Sequence, residues 1–160
     1  MLRILFICHG NICRSVAAEM VLRQMIAERG LEGRIAVDSA ATTREEIGHG
    51  VYPPMRKALD RQGMPCVPHA ARQTVRQDYA RYDRIIGMDG ENMDDMRRIY
   101  GGDPAGKLSL LAAWAGENRE IDDPWYTRDF DGCLRDIIRC CGALMNALCS
   151  GGQSEREAEH

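Results

Sequence analysis

The sequence predicts a doubly wound α/β fold, with a four-stranded parallel sheet flanked by helices. Three features point there. Residues 2–7 form a nearly continuous apolar run, as in strands buried on both faces. Short apolar segments then alternate with segments of helical period, the pattern of parallel strands joined by crossover helices. Finally, Gly10 and Asn11 interrupt the chain between the first strand and the first helix, in the crevice where such sheets collect ligands.

The elements follow in order. After the strand Leu2 to Ile7, Ala18, Val21, Leu22 and Met25 recur at helical spacing within a helix from Arg14 to Arg29. Glu19 and Arg23 form a favourable i, i+4 pair on it, and Gly30 supplies the stop. Ile35 to Ser39 reads as the second strand, and a Gly- and Pro-rich loop leads to a helix from about Pro54 to Gln62. Arg84 to Met88 is the third strand, with a helix from Glu91 to Tyr100 behind it, and Lys107 to Leu111 is the fourth. Leu134, Ile137, Ile138, Cys141, Leu144, Met145 and Leu148 line one face of a long last helix.

A chain of 160 residues fits one domain, here taken as 1–150, followed by a polar tail over 151–160 expected to be disordered. A net charge of −3 gives no electrostatic footprint for nucleic acid or an anionic membrane. The opening apolar run is too short for a signal sequence, and no stretch approaches the roughly 20 apolar residues of a membrane span. A cytoplasmic location is expected. Seven cysteines, an odd number without any Cys-x-x-Cys pair, argue against a disulfide framework or a structural zinc site. No metal or cofactor is expected.

The spacing Cys-x5-Arg occurs three times, at Cys8 to Arg14, Cys66 to Arg72 and Cys133 to Arg139. Context separates them. The last lies inside the long helix, and the second contains Pro68, lacks Gly and follows no strand. Only the first runs from a buried strand through Gly10 and Asn11 into a helix start. Such a loop closing on a helix N-terminus turns backbone N–H groups and the helix dipole toward an anion. Gly10 and Asn11 tolerate the left-handed backbone it needs. Arg14 can grip two phosphate oxygens at once, and the same field favours a Cys8 thiolate over the thiol. Ser15 is placed to donate to that sulfur.

The segment Cys8-His9-Gly10-Asn11-Ile12-Cys13-Arg14-Ser15 resembles the signature of the low-molecular-weight protein tyrosine phosphatases. The resemblance extends through Val37 to Thr42, Glu46 to Gly48, His69 to Gln73, Met88-Asp89 with Asn92, and Asp123 to Tyr126. It implies a phosphate loop between first strand and first helix, with Cys8 as nucleophile, Arg14 binding phosphate and Asp123 as general acid and base. Asp122 is the local rival for the acid. The resemblance also implies that His9 to Ser15 bind the phosphoryl group, with Trp125 and Tyr126 walling the substrate ring. Asn11, Ser39 and His69 would fix the loop, and Asp89 would help to place the acid. Glu45 stands where the family often carries an aromatic, and reads either as a solvated glutamate or as a preference for basic residues beside phosphotyrosine.

The same resemblance implies that Cys13 could trap an oxidised Cys8 as a reversible disulfide; otherwise it packs beneath the loop, and the other five cysteines read as core fillers. The implied partners are phosphotyrosine-containing proteins, with phosphate, vanadate or other oxyanions as inhibitors, and the chain is expected to be a monomer or weak dimer. Protein-arginine phosphatases resemble this chain but tend to carry threonine where Ile12 stands. Arsenate reductases of the same fold use relay cysteines around positions 75–95, where none occurs. A non-catalytic phosphate-binding module is the remaining alternative.

Overall fold

The computed structural model describes residues 1–158, with side chains for 1–150. The tail expected over 151–160 lies outside the residues described with side chains. Four strands, β1 (Leu2–Cys8), β2 (Ile35–Ala41), β3 (Arg84–Gly87) and β4 (Leu108–Leu110), pair in parallel in the order β2-β1-β3-β4. The sequence-based expectation of a four-stranded parallel sheet holds. Helices α1 (Arg14–Glu28), α2 (Pro53–Arg61), α3 (Asp78–Arg81), α4 (Gly90–Tyr100), α5 (Pro124–Thr127) and α6 (Phe130–Ala158) connect and flank it. The four-residue helices α3 and α5, and a 3₁₀ turn over Leu111–Ala115, are too short to show a period in sequence.

Side-chain alternation along β1 explains the two layers. Ile4, Phe6 and Cys8 join the core built with α1 and α6, whereas Leu5 and Ile7 face Met96 and Tyr100 of α4. The parity of the strand therefore places Cys8 on the α1 side. Strand β2 runs past its expected end at Ser39 to Ala41, because Ala40 and Ala41 pair with Ile7 and Cys8 and Ala41 also bridges to Gln73.

Helix α1 departs from a simple amphipathic stripe. Every residue from Arg14 to Leu22 is buried, including Arg14, Ser15 and Glu19. Its first turns lie against the sheet and α6, so polar side chains there must find partners inside. Not all five remaining cysteines fill the core. Cys133, Cys140 and Cys141 are buried, but Cys66 sits on the loop after α2 and is partly exposed, while Cys149 lies beyond the packed face of α6 and is exposed.

Helix α4 ends on Gly101 at φ 78°, and a Cβ there would come 3.1 Å from Arg76 Nη2. Gly101→Ala is expected to cost about 1–2 kcal/mol, the penalty for a left-handed L-residue, read as a lowered urea midpoint with an unchanged m-value.

Candidate active site

Cys8 ends β1, with its sulfur 3.0 Å from Ser15 Oγ and 3.4 Å from the Asn11 backbone N–H that donates to it. Asn11 makes this possible by adopting φ 58°, which turns its N–H back over the sulfur. Gly10 lets the facing loop close down, since a Cβ there would stand 3.3 Å from Glu46 Cγ. Cys13 caps α1 without a side-chain hydrogen bond and the first turn holds no acid, so the helix's first N–H groups remain for an anion.

The Asn11 side chain is fully buried and ties the loop from beneath. Its Nδ2 donates to Ser15 Oγ and Ser39 Oγ, each at 2.9 Å, and its Oδ1 accepts from Arg72 N–H at 3.3 Å. Its backbone carbonyl lies 2.7 Å from His69 Nε2 and accepts from it. The Cys8 thiol donates to Ser15 Oγ, which also accepts from Asn11, so the serine proton is available to a sulfur that has lost its own. Ser39 Oγ–H donates to Glu19 Oε1 at 2.6 Å, and Arg23 closes on Glu19 at 2.7 Å. Glu19 extends the network beyond the residues singled out in sequence. Its signal was a charge on a helix face otherwise fated to be buried, which the i, i+4 pairing with Arg23 disguised as surface chemistry.

Arg14 is buried, and its Nη1 donates to Asp89 Oδ2 at 2.9 Å and to the Ile121 carbonyl at 2.8 Å. Its Nη2 reaches Asp123 Oδ2 at only 3.5 Å. Burial acts to depress the guanidinium, but Cys8, Asp89 and Asp123 hold it above its ordinary value. One edge of the fork is thus anchored and the other is left for an anion. Asp89 is itself fixed as the N-cap of α4, in a reciprocal capping box with Asn92.

Asp123 caps α5 by accepting from Trp125 N–H at 3.0 Å, and Pro124 opens that helix. Asp122 points elsewhere, lining a separate hollow with Gly90, Arg119 and Glu120. Cys8, Arg14 and Asp123 meet in a cleft of about 370 Å³, whose lining also includes His9, Gly10, Ile12, Cys13, Asp89, Trp125 and Tyr126. Trp125 is 52% exposed and Tyr126 82%, so both stand as cleft walls rather than core. Tyr52, unmarked in the sequence, backs Trp125 at 5.6 Å between ring centroids and itself packs on Phe130 at 5.8 Å. Glu45 also lines the cleft; it is exposed, and it holds His9 Nε2 at 2.9 Å across the mouth. Burial pushes the Cys13 thiol well above its usual range, with Cys133, Cys8 and Asp123 adding to the shift and Arg14 opposing it. Among the described residues no group of three or more His, Cys, Asp or Glu side chains could hold a metal ion.

Residues 3–154 match the family model described as low molecular weight phosphotyrosine protein phosphatase. The human protein of that name is 35% identical over 147 residues, covering 89% of this chain and 92% of the relative. The low molecular weight protein-tyrosine-phosphatase YfkJ of Bacillus subtilis is 33% identical over 150 residues, covering 92% of this chain and 96% of its own. The crystal structure of YfkJ superposes with a TM-score of 0.90 over 94% of this chain and 96% of that one.

The cradle should bind inorganic phosphate. Arg14→Lys keeps the charge but loses the fork, and is expected to weaken phosphate by about 10–100-fold, one charge-assisted hydrogen bond, measured by calorimetry.

Proposed function

Because the chain belongs to the low molecular weight phosphotyrosine protein phosphatases, we propose that Cys8, Arg14 and Asp123 carry its two-step hydrolysis of phosphotyrosine. One observation carries the assignment: a buried strand delivers a sulfur to the floor of a loop, beneath a fixed guanidinium and beside a carboxyl-bearing loop. The enzyme is a phosphoric monoester hydrolase acting on phosphoproteins.

In the first step the phosphate dianion sits on the N–H groups of the loop and the open edge of Arg14. The Cys8 thiolate attacks phosphorus opposite the tyrosine oxygen. The S–P bond forms as the P–O bond breaks, and the phenolic oxygen takes the proton of Asp123. Ser15 Oγ–H donates to the sulfur, steadying it before attack and again as it departs. In the second step Asp123, now a carboxylate, takes a proton from water. The hydroxyl attacks phosphorus, the S–P bond breaks, and inorganic phosphate leaves with the thiolate restored.

Ile12 and the Trp125 and Tyr126 walls shape a slot for a flat phenyl ester. This favours tyrosine over arginine as the phosphorylated side chain. Arsenate reduction lacks its relay thiols between 75 and 95. Ser39, His69 and Asp89 support the loop and Arg14 without touching phosphate. Glu45 beside His9 is a rim contact for residues flanking the phosphotyrosine. Cys13, next to the loop, is the partner for a reversible disulfide with an oxidised Cys8. Hydrolysis requires no metal or other cofactor. A cytoplasmic address and a monomeric or weakly dimeric state belong to the same proposal; seven free thiols suit a reducing compartment. No helix among the described residues is long and apolar enough to cross a membrane.

Cys8→Ser is expected to abolish turnover of p-nitrophenyl phosphate with an unchanged circular dichroism spectrum; appreciable residual turnover overturns the nucleophile assignment. Asp123→Asn should lower kcat by about 10²–10⁴-fold on phosphotyrosine peptide, less on esters with better leaving groups. An equal loss from Asp122→Asn reassigns the acid.

A further inference from the structure

A second polar cluster lies behind the site, on the segment that follows the loop-supporting His69. Residues 69–75 run beside the end of β2, where Ala41 N–H donates to Arg72 O at 2.7 Å and Thr74 N–H donates to Ala41 O at 2.8 Å. This segment delivers two contacts to the phosphate loop, His69 Nε2 and the Arg72 N–H, both on Asn11. Its far end is gripped by one carboxylate. Asp78 Oδ2 accepts from Thr74 Oγ1 at 2.7 Å, Val75 N–H at 2.9 Å and Arg72 Nη1 at 3.0 Å. Asp78 is 1% exposed, so this charge has left water entirely.

The surroundings make the grip rigid. Thr74 Oγ1 also meets Tyr100 OH of α4 at 2.6 Å, and Arg72 Nη2 reaches Tyr82 OH, which donates to Asp38 Oδ2 of β2 at 2.8 Å. Burial would raise the Asp78 carboxyl, but the Arg72, Val75 and Thr74 hydrogen bonds hold it below its ordinary value. A carboxylate with three donors on one oxygen fixes the backbone from 72 to 75 in one arrangement. The same backbone fixes Asn11.

We propose that Asp78 is a positioning residue for the phosphate loop, acting through Arg72 and residues 72–75 on Asn11 and so on the Cys8 sulfur. The inference rests on the phosphatase reading of the site, and it adds a residue remote from the cleft to the machinery. Fold support alone would make Asp78 matter for stability; positioning makes it matter for the reactivity of one sulfur.

A double-mutant cycle of Asp78→Asn and Asn11→Ala separates these roles. It has two readouts, kcat for p-nitrophenyl phosphate and the rate of Cys8 alkylation by iodoacetate at fixed pH, resolved by mass spectrometry. Both are measured well below each variant's unfolding midpoint. Tyr79→Phe serves as control, since it removes the α3 contact with Asp103 and leaves the Asp78 carboxylate alone. Asp78→Asn is expected to lower kcat about tenfold with KM nearly unchanged, and the double variant to be no slower than Asn11→Ala alone, as coupled neighbours behave. Alkylation should show the same non-additivity, and Tyr79→Phe should match the wild type in both assays. Multiplicative losses, or an Asp78→Asn enzyme as fast as the wild type, overturn the proposal. If Asp78→Asn does not fold, Arg72→Met enters the same cycle, because it drops the guanidinium and keeps the backbone bond to Asn11. A wild-type chain without hydrolysis sinks the phosphatase reading, while the alkylation cycle still decides the role of Asp78.

Discussion

A cysteine sulfur at the end of a buried strand has to be turned toward the cleft if it is not to be lost into the core. In this fold the turn is made by Asn11, at φ 58°, whose backbone N–H faces Cys8 while its carboxamide is sealed beneath the loop. A residue so placed strains its backbone and buries three polar groups, and each would cost free energy if left alone. Ser15, Ser39, Arg72 and His69 satisfy them all. The loop is therefore preorganised before substrate arrives, which lets its donors act on the reacting phosphoryl group without first reorganising.

The electrostatics are local. The chain carries a net charge of −3, yet its cleft is built for a dianion. Attraction comes from one guanidinium, the N-terminal dipole of α1 and the amides of a single loop. Two acidic residues face that guanidinium, and they do different work. Asp89 holds it firmly at 2.9 Å and is locked as a helix cap, whereas Asp123 touches it loosely at 3.5 Å from a short helix with exposed aromatics. A tight ion pair orients the fork; a loose one leaves the Asp123 carboxyl less firmly held at the cleft. Glu45, Glu46 and Glu91 also line the cleft and add negative charge around its mouth.

Much of the site was legible because its chemistry is contiguous. A strand, a glycine, an asparagine, an arginine and a helix start within residues 2–28 encode the loop by local physics alone, and Pro124 marked the neighbouring acid. The same locality let sequence context reject the spacings at Cys66 and Cys133. The four parallel strands followed from apolar runs alternating with helical periods, but their order in the sheet came only from the structure. Long-range pairing was not legible. Arg14 meets Asp89 75 positions away and the Ile121 carbonyl 107 away, and nothing in either segment names its partner. Tyr52 and Phe130 looked like ordinary aromatics until the fold set Tyr52 behind Trp125 and Phe130 against Tyr52. Glu45 is exposed, as one of its two sequence readings had it, but its pairing with His9, 36 positions away, was not legible.

The chain by itself determined which sulfur faces the anion site, since strand parity, left-handed tolerance and helix nucleation are properties of neighbouring residues. The tertiary structure alone decided what holds that arrangement still. Glu19 and Asp78 are buried carboxylates whose meaning depends on donors brought from other elements, and a charge acquires a role inside a protein only once its partners are in place.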